Sequence, residues 1–225
     1  MVGNLGGKMD LDIIYNYAKH IMEHDPSGHD LNHLSRVTNL AMAIADSENF
    51  TQWEKDMTLV AVYLHDTIDE KVVSDRERAI ETVTQVMKQA NMTDEEIEIT
   101  LHSIINEPFS RNLNGFVPLH KTGQVCREAD YLDGIGAIGI GRVFLYSGIK
   151  GRPLYSDEAP RDVKGMTIEE YRKGEANTMN HFVEKLFLIK DFMRTDLGKK
   201  IAEERTKVMQ DFYDTFYKEV NLKDI

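Results

Sequence analysis

The chain has 225 residues, of which 41% are hydrophobic and 29% are charged, and its formal net charge at pH 7 is −11. A chain of this length and composition buries a core and is not disordered; its acidic charge disfavours nucleic-acid binding, and no apolar run approaches the roughly 18 residues of a membrane helix. The single cysteine, Cys126, excludes an intrachain disulfide and a cysteine-rich zinc site, and is typical of a reducing compartment, most simply the cytoplasm.

The N-terminal half predicts a leader followed by five helices. Residues 1–9 are rich in glycine and carry no apolar segment, so we expect a disordered leader there and a folded domain over residues 10–225. Apolar residues at helical spacing predict the first four helices. Their inward residues are Leu11, Ile14, Tyr15 and Ala18; Leu34, Val37, Ala41 and Ile44; Met57, Val60, Ala61 and Leu64; and Ala79, Val83, Val86 and Met87. Residues 93–96 form a capping box that predicts the start of a fifth helix.

The C-terminal half is also helical, but it is interrupted by a long loop. Thr122 is predicted to cap a helix that carries Val125, Cys126, Ala129 and Leu132. Residues 150–177 lack sustained periodicity and predict a loop of the length often found in active-site lids, with one short helix near Thr167. Apolar helices are expected over residues 180–193 and 197–220. The stripe on the last one, which contains Phe212 and Phe216, predicts core, with a dimer interface as the alternative.

Strand patterns are nearly absent, so the sequence predicts an all-α, single-domain helical fold. One apparent exception is the run from Gly134 to Gly139, which spells the dinucleotide-binding pattern G-x-G-x-x-G. That pattern requires a preceding buried strand, whereas here it follows a polar helical segment, so we reject the dinucleotide interpretation. The glycines are expected instead to let two helices pack closely or to admit a ligand against the backbone.

The adjacent pair His65 and Asp66 closes the apolar run of residues 59–64. An imidazole and a carboxylate at the end of a buried segment are costly to desolvate unless something pairs with them. A divalent metal would bind both, and His33 and Asp130 would complete a site of mixed nitrogen and oxygen ligands. The alternative is a hydrogen-bonded polar pair at a helix end.

Positive charge is concentrated in one part of this acidic chain. No acidic residue occurs from Gly134 to Ser156, yet Arg142, Lys150 and Arg152 fall there, and Arg161 and Lys164 follow. This distribution predicts a pocket for a small anion, phosphate above all, with a solvated basic loop as the alternative.

Three segments together resemble the H…HD…D pattern of the HD-domain superfamily of metal-dependent phosphohydrolases. They are His33-Leu34-Ser35-Arg36-Val37, Leu64-His65-Asp66 and Glu128-Ala129-Asp130. Residues 28–30, 129–139 and 180–186 are similar to the small bacterial subgroup typified by YpgQ and YedJ. The resemblance extends from about residue 10 to residue 218, and it implies the helical HD-domain fold.

The resemblance implies a role for each matched residue. His33, His65, Asp66 and Asp130 would be the metal ligands, with Asp133 as the alternative to Asp130. Asp66 would be the innermost carboxylate, and Asp69, where the family commonly has Glu, would act in proton transfer. Beyond the matched residues, Arg36 lies one turn from His33 and is a candidate to pair with a ligand carboxylate. By their charge, Lys121, Arg142, Lys150 and Arg152 are candidate substrate contacts, with an exposed, solvated cation as the alternative for each. Mn²⁺ or Mg²⁺ is favoured as the metal, and Fe²⁺, Co²⁺, Ni²⁺ and Zn²⁺ stay open.

The resemblance also implies a substrate, a phosphorylated small molecule and most simply a nucleoside triphosphate or its deoxy form, cleaved to monophosphate and pyrophosphate. Two alternatives stay open. Residues 65–70 resemble the HDTxED stretch of enzymes that hydrolyse the alarmone guanosine tetraphosphate, with the two acids in inverted order. The fold could also serve as a nucleotide- or metal-binding sensor without turnover. A homodimer is a further expectation, and no nucleic-acid or membrane partner is expected.

Overall fold

The computed structural model describes residues 8–23, 30–69, 73, 75–174 and 176–223. Within these ranges the chain forms ten α-helices, three 3-10 helices and no strand, which confirms the all-α prediction. Its contacts divide the chain into two compact units, Met1–Pro108 with Val117–Ala129, and Phe109–Phe116 with Asp130–Ile225. The single domain over residues 10–225 stays a prediction, and the predicted leader lies outside the described residues except for Lys8 and Met9.

The first unit is built from six helical segments and a 3-10 helix. These are α1 (Leu11–Met22), α2 (Leu31–Ser47), α3 (Gln52–Leu64), the 3-10 helix His65–Ile68, α4 (Arg76–Gln89), α5 (Asp94–Asn106) and the part of α6 (Lys121–Asp133) up to Ala129. Side-chain oxygens cap the first five helices, at Asp10, Asp30, Thr51, Asp75 and Thr93. The capping box predicted at Thr93 is present, with Glu96 as its second member.

Helix α3 occupies the centre of the first unit, packed against α1, α2 and α5. The apolar stripes predicted for the second, third and fourth helices are all buried, whereas Tyr15 of the first stripe is 40% exposed. Because α3 is buried on several sides, the residues that follow it are carried into the interior. His65 and Asp66 therefore come to lie away from solvent, at 4% and 7% exposure.

The second unit contains α7 (Gly136–Ile149), α8 (Ile168–Arg172), α9 (Thr178–Glu184), α10 (Asp196–Val220) and the 3-10 helices Phe109–Arg111 and Leu186–Phe192. Its core is aromatic. The ring of Phe182, which is fully buried, contacts the rings of Phe144, Phe187 and Phe212. Among the described residues no single helix has the length and apolar content to cross a bilayer, although α6 and α7 meet those criteria jointly as a pair bent by 72°.

Several predictions of helix ends and faces are wrong. The helix expected over residues 180–193 breaks at Lys185, where φ is −140° and ψ is −60°. The chain continues as a 3-10 helix, whose three-residue repeat places Leu186, Ile189 and Phe192 on one buried side. Helix α6 begins at Lys121, so Thr122 lies inside its first turn. There its hydroxyl and its N–H bond the ring Nδ1 of His120, at 2.9 Å and 3.4 Å.

The stripe on α10 is less buried than a core prediction requires. Met209 is buried, but Val208 is 46% exposed and the rings of Phe212 and Phe216 are half-buried. The rings are half-buried because they pack against other aromatic rings, including each other at 6.2 Å between centroids, while one side stays open to solvent.

The run of glycines from Gly134 to Gly139 makes the tight turn from α6 into α7. A Cβ on Gly139 would lie 2.3 Å from the carbonyl oxygen of Gly134, so this close passage requires glycine. No described strand precedes the run, which agrees with the rejection of a dinucleotide site. Sequence reasoning did not predict α7, because apolar residues occur on every side of it and leave no periodic contrast.

Candidate metal centre

Three of the four predicted metal ligands lie together in the first unit. His33 is in the first turn of α2, and His65 and Asp66 open the 3-10 helix that follows α3. The Nε2 atoms of the two histidines are 3.3 Å apart. Oδ2 of Asp66 lies 3.3 Å from Nε2 of His33 and 3.1 Å from Nε2 of His65.

This triangle of atoms fits one metal ion. First-row metals bind histidine nitrogen and carboxylate oxygen at about 2.0–2.2 Å, which places two ligands of the same ion about 3.0–3.5 Å apart. All three pairs in the cluster fall in that interval. His33 is fully buried, and His65 and Asp66 are each more than nine-tenths buried. The site therefore excludes most water.

A hydrogen bond sets the tautomer of His65. Its Nδ1 lies 2.7 Å from the carbonyl oxygen of Val62, and this oxygen can only accept, so Nδ1 carries the proton. In a neutral ring Nε2 then carries a lone pair and lies 3.1 Å from Oδ2 of Asp66. The lone pair of Nε2 and the carboxylate oxygen repel each other at 3.1 Å unless a positive charge lies between them. A metal ion, or a proton on Nε2, would supply this positive charge.

Sequence reasoning missed the role of Asp30. Its Oδ1 accepts a hydrogen bond of 2.8 Å from the backbone N–H of His33 and so caps α2 at the turn that carries this ligand. Partial burial raises the pKa of Asp30, but hydrogen bonds from His33 and Asn32 and the charge of Arg36 outweigh it and hold the pKa below its ordinary value of 3.8. The N-cap rule, an Asp three residues before the first ligand, could have identified it.

The other residues predicted around the metal lie on the same elements. Asp69 ends the 3-10 helix, and its N–H bonds the carbonyl oxygen of Asp66 at 3.1 Å. Arg36 lies one turn after His33 on α2 and is close enough to Asp30 to lower its pKa. Asp130 lies half-buried on α6 at the first residue of the second unit, and its place as the fourth ligand stays a prediction.

The structure does not bring Lys121 to this cluster. Its ammonium group pairs with Glu54 and lies 4.9 Å from the centre of the Phe50 ring. Glu54 is in the first turn of α3, and its hydrogen bonds to Lys121 and Thr51 lower its pKa to about 2. Glu54 lies eleven positions before His65, which is about 16 Å along a helix. Lys121 therefore lies near the N-terminal end of α3, whereas His65 and Asp66 follow its C-terminal end.

The other three predicted substrate contacts share α7 and the turn after it, in the second unit. Arg142 forms an ion pair of 2.8 Å with Asp133, the residue predicted as the alternative fourth metal ligand. The cationic groups of Lys150 and Arg152 lie 5.6 Å and 5.7 Å from the centre of the Tyr146 ring. Two cationic groups therefore lie around the ring of Tyr146. The contact of these three basic residues with substrate stays a prediction.

The basic segment continues into an open cavity of about 440 Å³ in the second unit. It is lined by Arg161, Lys164, Gly165, Met166, Glu170, Lys173 and Gly174. The buried carboxylate of Glu184 accepts bonds of 2.9 Å and 2.5 Å from Nε and Nη2 of Arg161. This pairing neutralises Arg161, so Lys164 and Lys173 are the lining residues whose charge an anion would meet.

The chain is similar to known proteins over nearly its whole length. It is 31% identical to Bacillus subtilis YpgQ over 210 residues, which are 92% of each chain. A crystal structure of YpgQ in complex with ADP matches 93% of this chain and 94% of its own, with a TM-score of 0.72 and 28% identity. No protein-family model matches the sequence.

Two further structures have the same fold. A Lactobacillus plantarum protein matches 99% of this chain and 100% of its own at 36% identity and a TM-score of 0.85. An HD-superfamily hydrolase from Bacillus thuringiensis matches 94% of this chain and 96% of its own, at 32% identity and a TM-score of 0.70. The fold and the His–His–Asp cluster define an HD-superfamily hydrolase, a class of metal-dependent phosphohydrolases. Within that class the chain belongs to the YpgQ family.

Proposed function

We propose that this enzyme hydrolyses a nucleoside triphosphate, or its deoxy form, to the monophosphate and pyrophosphate. The observation that carries the proposal is the buried triangle of His33, His65 and Asp66, which fits one divalent ion. The related YpgQ was crystallised with ADP, which supports a nucleotide rather than another phosphoester. Mn²⁺ and Mg²⁺ are the metals we favour, with Asp130 as the fourth ligand.

The residues of the chain divide the chemistry among them. A bound divalent cation supplies Lewis acidity toward phosphoryl oxygens and makes water more acidic. His33, His65 and Asp66 would hold this cation at a buried point, and the hydrogen bond that Nδ1 of His65 donates to the carbonyl oxygen of Val62 would leave its Nε2 available as a ligand. We assign to Asp69, three residues after Asp66, the role of accepting the proton of the attacking water. We assign the binding of the triphosphate group to the side chains of Arg142, Lys150 and Arg152.

In the proposed reaction, water oxygen forms a bond to the α-phosphorus, and the bond from this phosphorus to the bridging oxygen breaks. Pyrophosphate leaves with that oxygen, and the nucleoside monophosphate keeps the oxygen from water. The positive charge around Tyr146 would offset charge that develops on the leaving group.

The test is product analysis on a panel of ribo- and deoxynucleoside triphosphates with Mn²⁺ or Mg²⁺, with Asp66→Ala protein in parallel. Monophosphate and pyrophosphate in equal amounts, absent with the variant, is the expected result. Orthophosphate as the first product would contradict attack at the α-phosphorus. The panel includes guanosine tetraphosphate, so that loss of its 3′-pyrophosphate alone would favour the alarmone alternative. Nucleotide binding without turnover would favour a sensor.

A further inference from the structure

The open cavity of about 440 Å³ in the second unit, here named the 161–174 cavity, has a positively charged lining. Basic side chains outnumber acidic ones in this lining by three to one. The buried carboxylate of Glu184 neutralises Arg161, so Lys164 and Lys173, which are both exposed, give the lining its positive charge. In a chain whose net charge is −11, such a local excess of positive charge indicates an anion site.

Hydrogen bonds within the chain hold the wall of the 161–174 cavity in place. The backbone N–H of Arg161 donates to Oε1 of Glu184 at 2.9 Å, and its Nη1 donates to the carbonyl oxygen of Glu170 at 3.3 Å. Arg161 therefore joins α8 to α9. The carboxylate of Glu170, the acidic lining residue, accepts a bond of 2.8 Å from the N–H of Thr167 and caps α8. A wall that is fixed in advance needs less ordering when a ligand binds.

A glycine brings a further basic residue next to the cavity. Gly174 lines the cavity, and a Cβ there would lie 2.7 Å from Nη2 of Arg152, so the guanidinium packs directly on this glycine. Gly165 also lines the cavity and has the same φ of +86°, but a Cβ on Gly165 would meet nothing within 4 Å. Because Arg152 is one of the residues to which we assign the triphosphate, the cavity continues the proposed substrate site.

The basic groups of the cavity suit two linked phosphates. A pyrophosphate group carries about three negative charges near neutral pH, and Lys164, Lys173 and Arg152 carry three positive ones. Lysine binds phosphate as a point charge, and arginine binds it through two parallel N–H bonds. The volume of about 440 Å³ falls in the range of roughly 300–1,000 Å³ that is usual for small-molecule sites, so it admits a group larger than one phosphate.

We propose that the 161–174 cavity binds a pyrophosphate group, which is the two terminal phosphates of the substrate before cleavage and the product afterwards. The origin of this group rests on the proposed function, whereas its binding does not, because free pyrophosphate binds without turnover. Product that stays in the cavity occupies the position of the substrate's terminal phosphates. Pyrophosphate is therefore expected to inhibit the enzyme in competition with substrate.

Titration calorimetry with inorganic pyrophosphate tests the binding, with Mn²⁺ at one concentration in both solutions. The double variant Lys164→Met and Lys173→Met should bind pyrophosphate at least 10-fold more weakly than the wild type. The control is Lys200→Met with Lys207→Met, which removes the same charge from exposed positions on α10 and should bind like the wild type. Wild-type affinity in the cavity variant would overturn the proposal. Equal losses in the two double variants would also overturn it, because net charge alone would then explain them.

The two glycines test the contribution of Arg152. An alanine at either position meets the same unfavourable φ of +86°, but only Gly174→Ala displaces the guanidinium of Arg152. Gly174→Ala should therefore bind pyrophosphate about 3-fold or more weakly than Gly165→Ala does. Equal affinities of the two variants would overturn the assignment of Arg152 to this cavity.

Steady-state kinetics with a nucleoside triphosphate test the origin of the group. Pyrophosphate should inhibit competitively, and the double variant of Lys164 and Lys173 should raise both the inhibition constant and KM. Inhibition that is not competitive with substrate, but is lost in that variant, would assign the cavity to free pyrophosphate and overturn its use by the substrate. Binding of pyrophosphate that depends on the two lysines, in a protein that does not cleave triphosphates, would support the cavity and contradict the proposed function.

Discussion

Asp30→Ala should weaken metal binding without any direct contact between Asp30 and the metal. The substitution removes the 2.8 Å bond to the N–H of His33 and with it the cap of α2. Loss of an N-cap costs about 1 kcal/mol, which lowers the melting temperature of a chain this size by about 2–4 °C. Because the freed turn carries a ligand, we expect the Mn²⁺ affinity to fall about 10- to 100-fold, as when other supports of metal ligands are removed.

The control for this prediction is Asp75→Ala, which removes the same kind of cap from α4, where Asp75 accepts from Arg78 at 3.0 Å. It should cost similar stability and leave Mn²⁺ affinity unchanged, as measured by titration calorimetry. Asp30→Asn keeps an amide oxygen as a cap and should restore affinity close to wild type. Equal losses of affinity in Asp30→Ala and Asp75→Ala would show instead that general destabilisation weakens metal binding in both variants.

Asp66→Ala should abolish metal retention and turnover with helical circular dichroism intact, and a variant that still binds Mn²⁺ by elemental analysis would argue against the cluster. Asp69→Ala should lower kcat about 100-fold or more at unchanged metal content, and a wild-type rate would remove it from proton transfer. Lys121 and Thr51 lower the pKa of Glu54 from 4.5 to about 2, so its contribution to stability is complete above pH 4.5 and is lost as the pH falls through 2. Glu54→Gln should therefore flatten acid unfolding in that interval, followed by circular dichroism, and an unchanged profile would be inconsistent with the ion pair. Gly139→Ala should destabilise the chain by about 1–3 kcal/mol in thermal unfolding through its clash with Gly134, and a loss no larger than that of Gly141→Ala would contradict the close passage.

Sequence patterns predicted the helices that have one apolar side. Helices α2 and α4 bury the predicted stripes because a polar side contrasts with an apolar one, and α3 could be predicted because its apolar residues form one continuous run. Helix α7 escaped prediction, since it is apolar even where it is exposed. The break at Lys185 also escaped prediction. Residues spaced by three fit an α-helix and a 3-10 helix nearly as well, and only packing distinguishes the two.

In the site, features set by neighbouring residues could be predicted from the sequence, whereas contacts between distant residues could not. The adjacent pair His65 and Asp66 could be identified because both residues close one apolar run, and His33 was a candidate ligand that the family resemblance then supported. The pairing of Lys121 with Glu54, and of Arg142 with Asp133, could not be read from the chain. Each pair joins residues from different helices, and helix packing brings them together. The cap at Asp30 was readable locally, because it needs only the spacing to His33.

Hydrolysis in ¹⁸O-labelled water identifies the phosphorus atom that is attacked. With Mn²⁺ and a nucleoside triphosphate, we expect one labelled oxygen in each monophosphate and none in pyrophosphate, and no turnover by Asp66→Ala. Label in pyrophosphate would place the attack at the β-phosphorus and contradict the proposed reaction. Turnover by Asp66→Ala at the wild-type rate would remove the chemistry from the His33, His65 and Asp66 cluster.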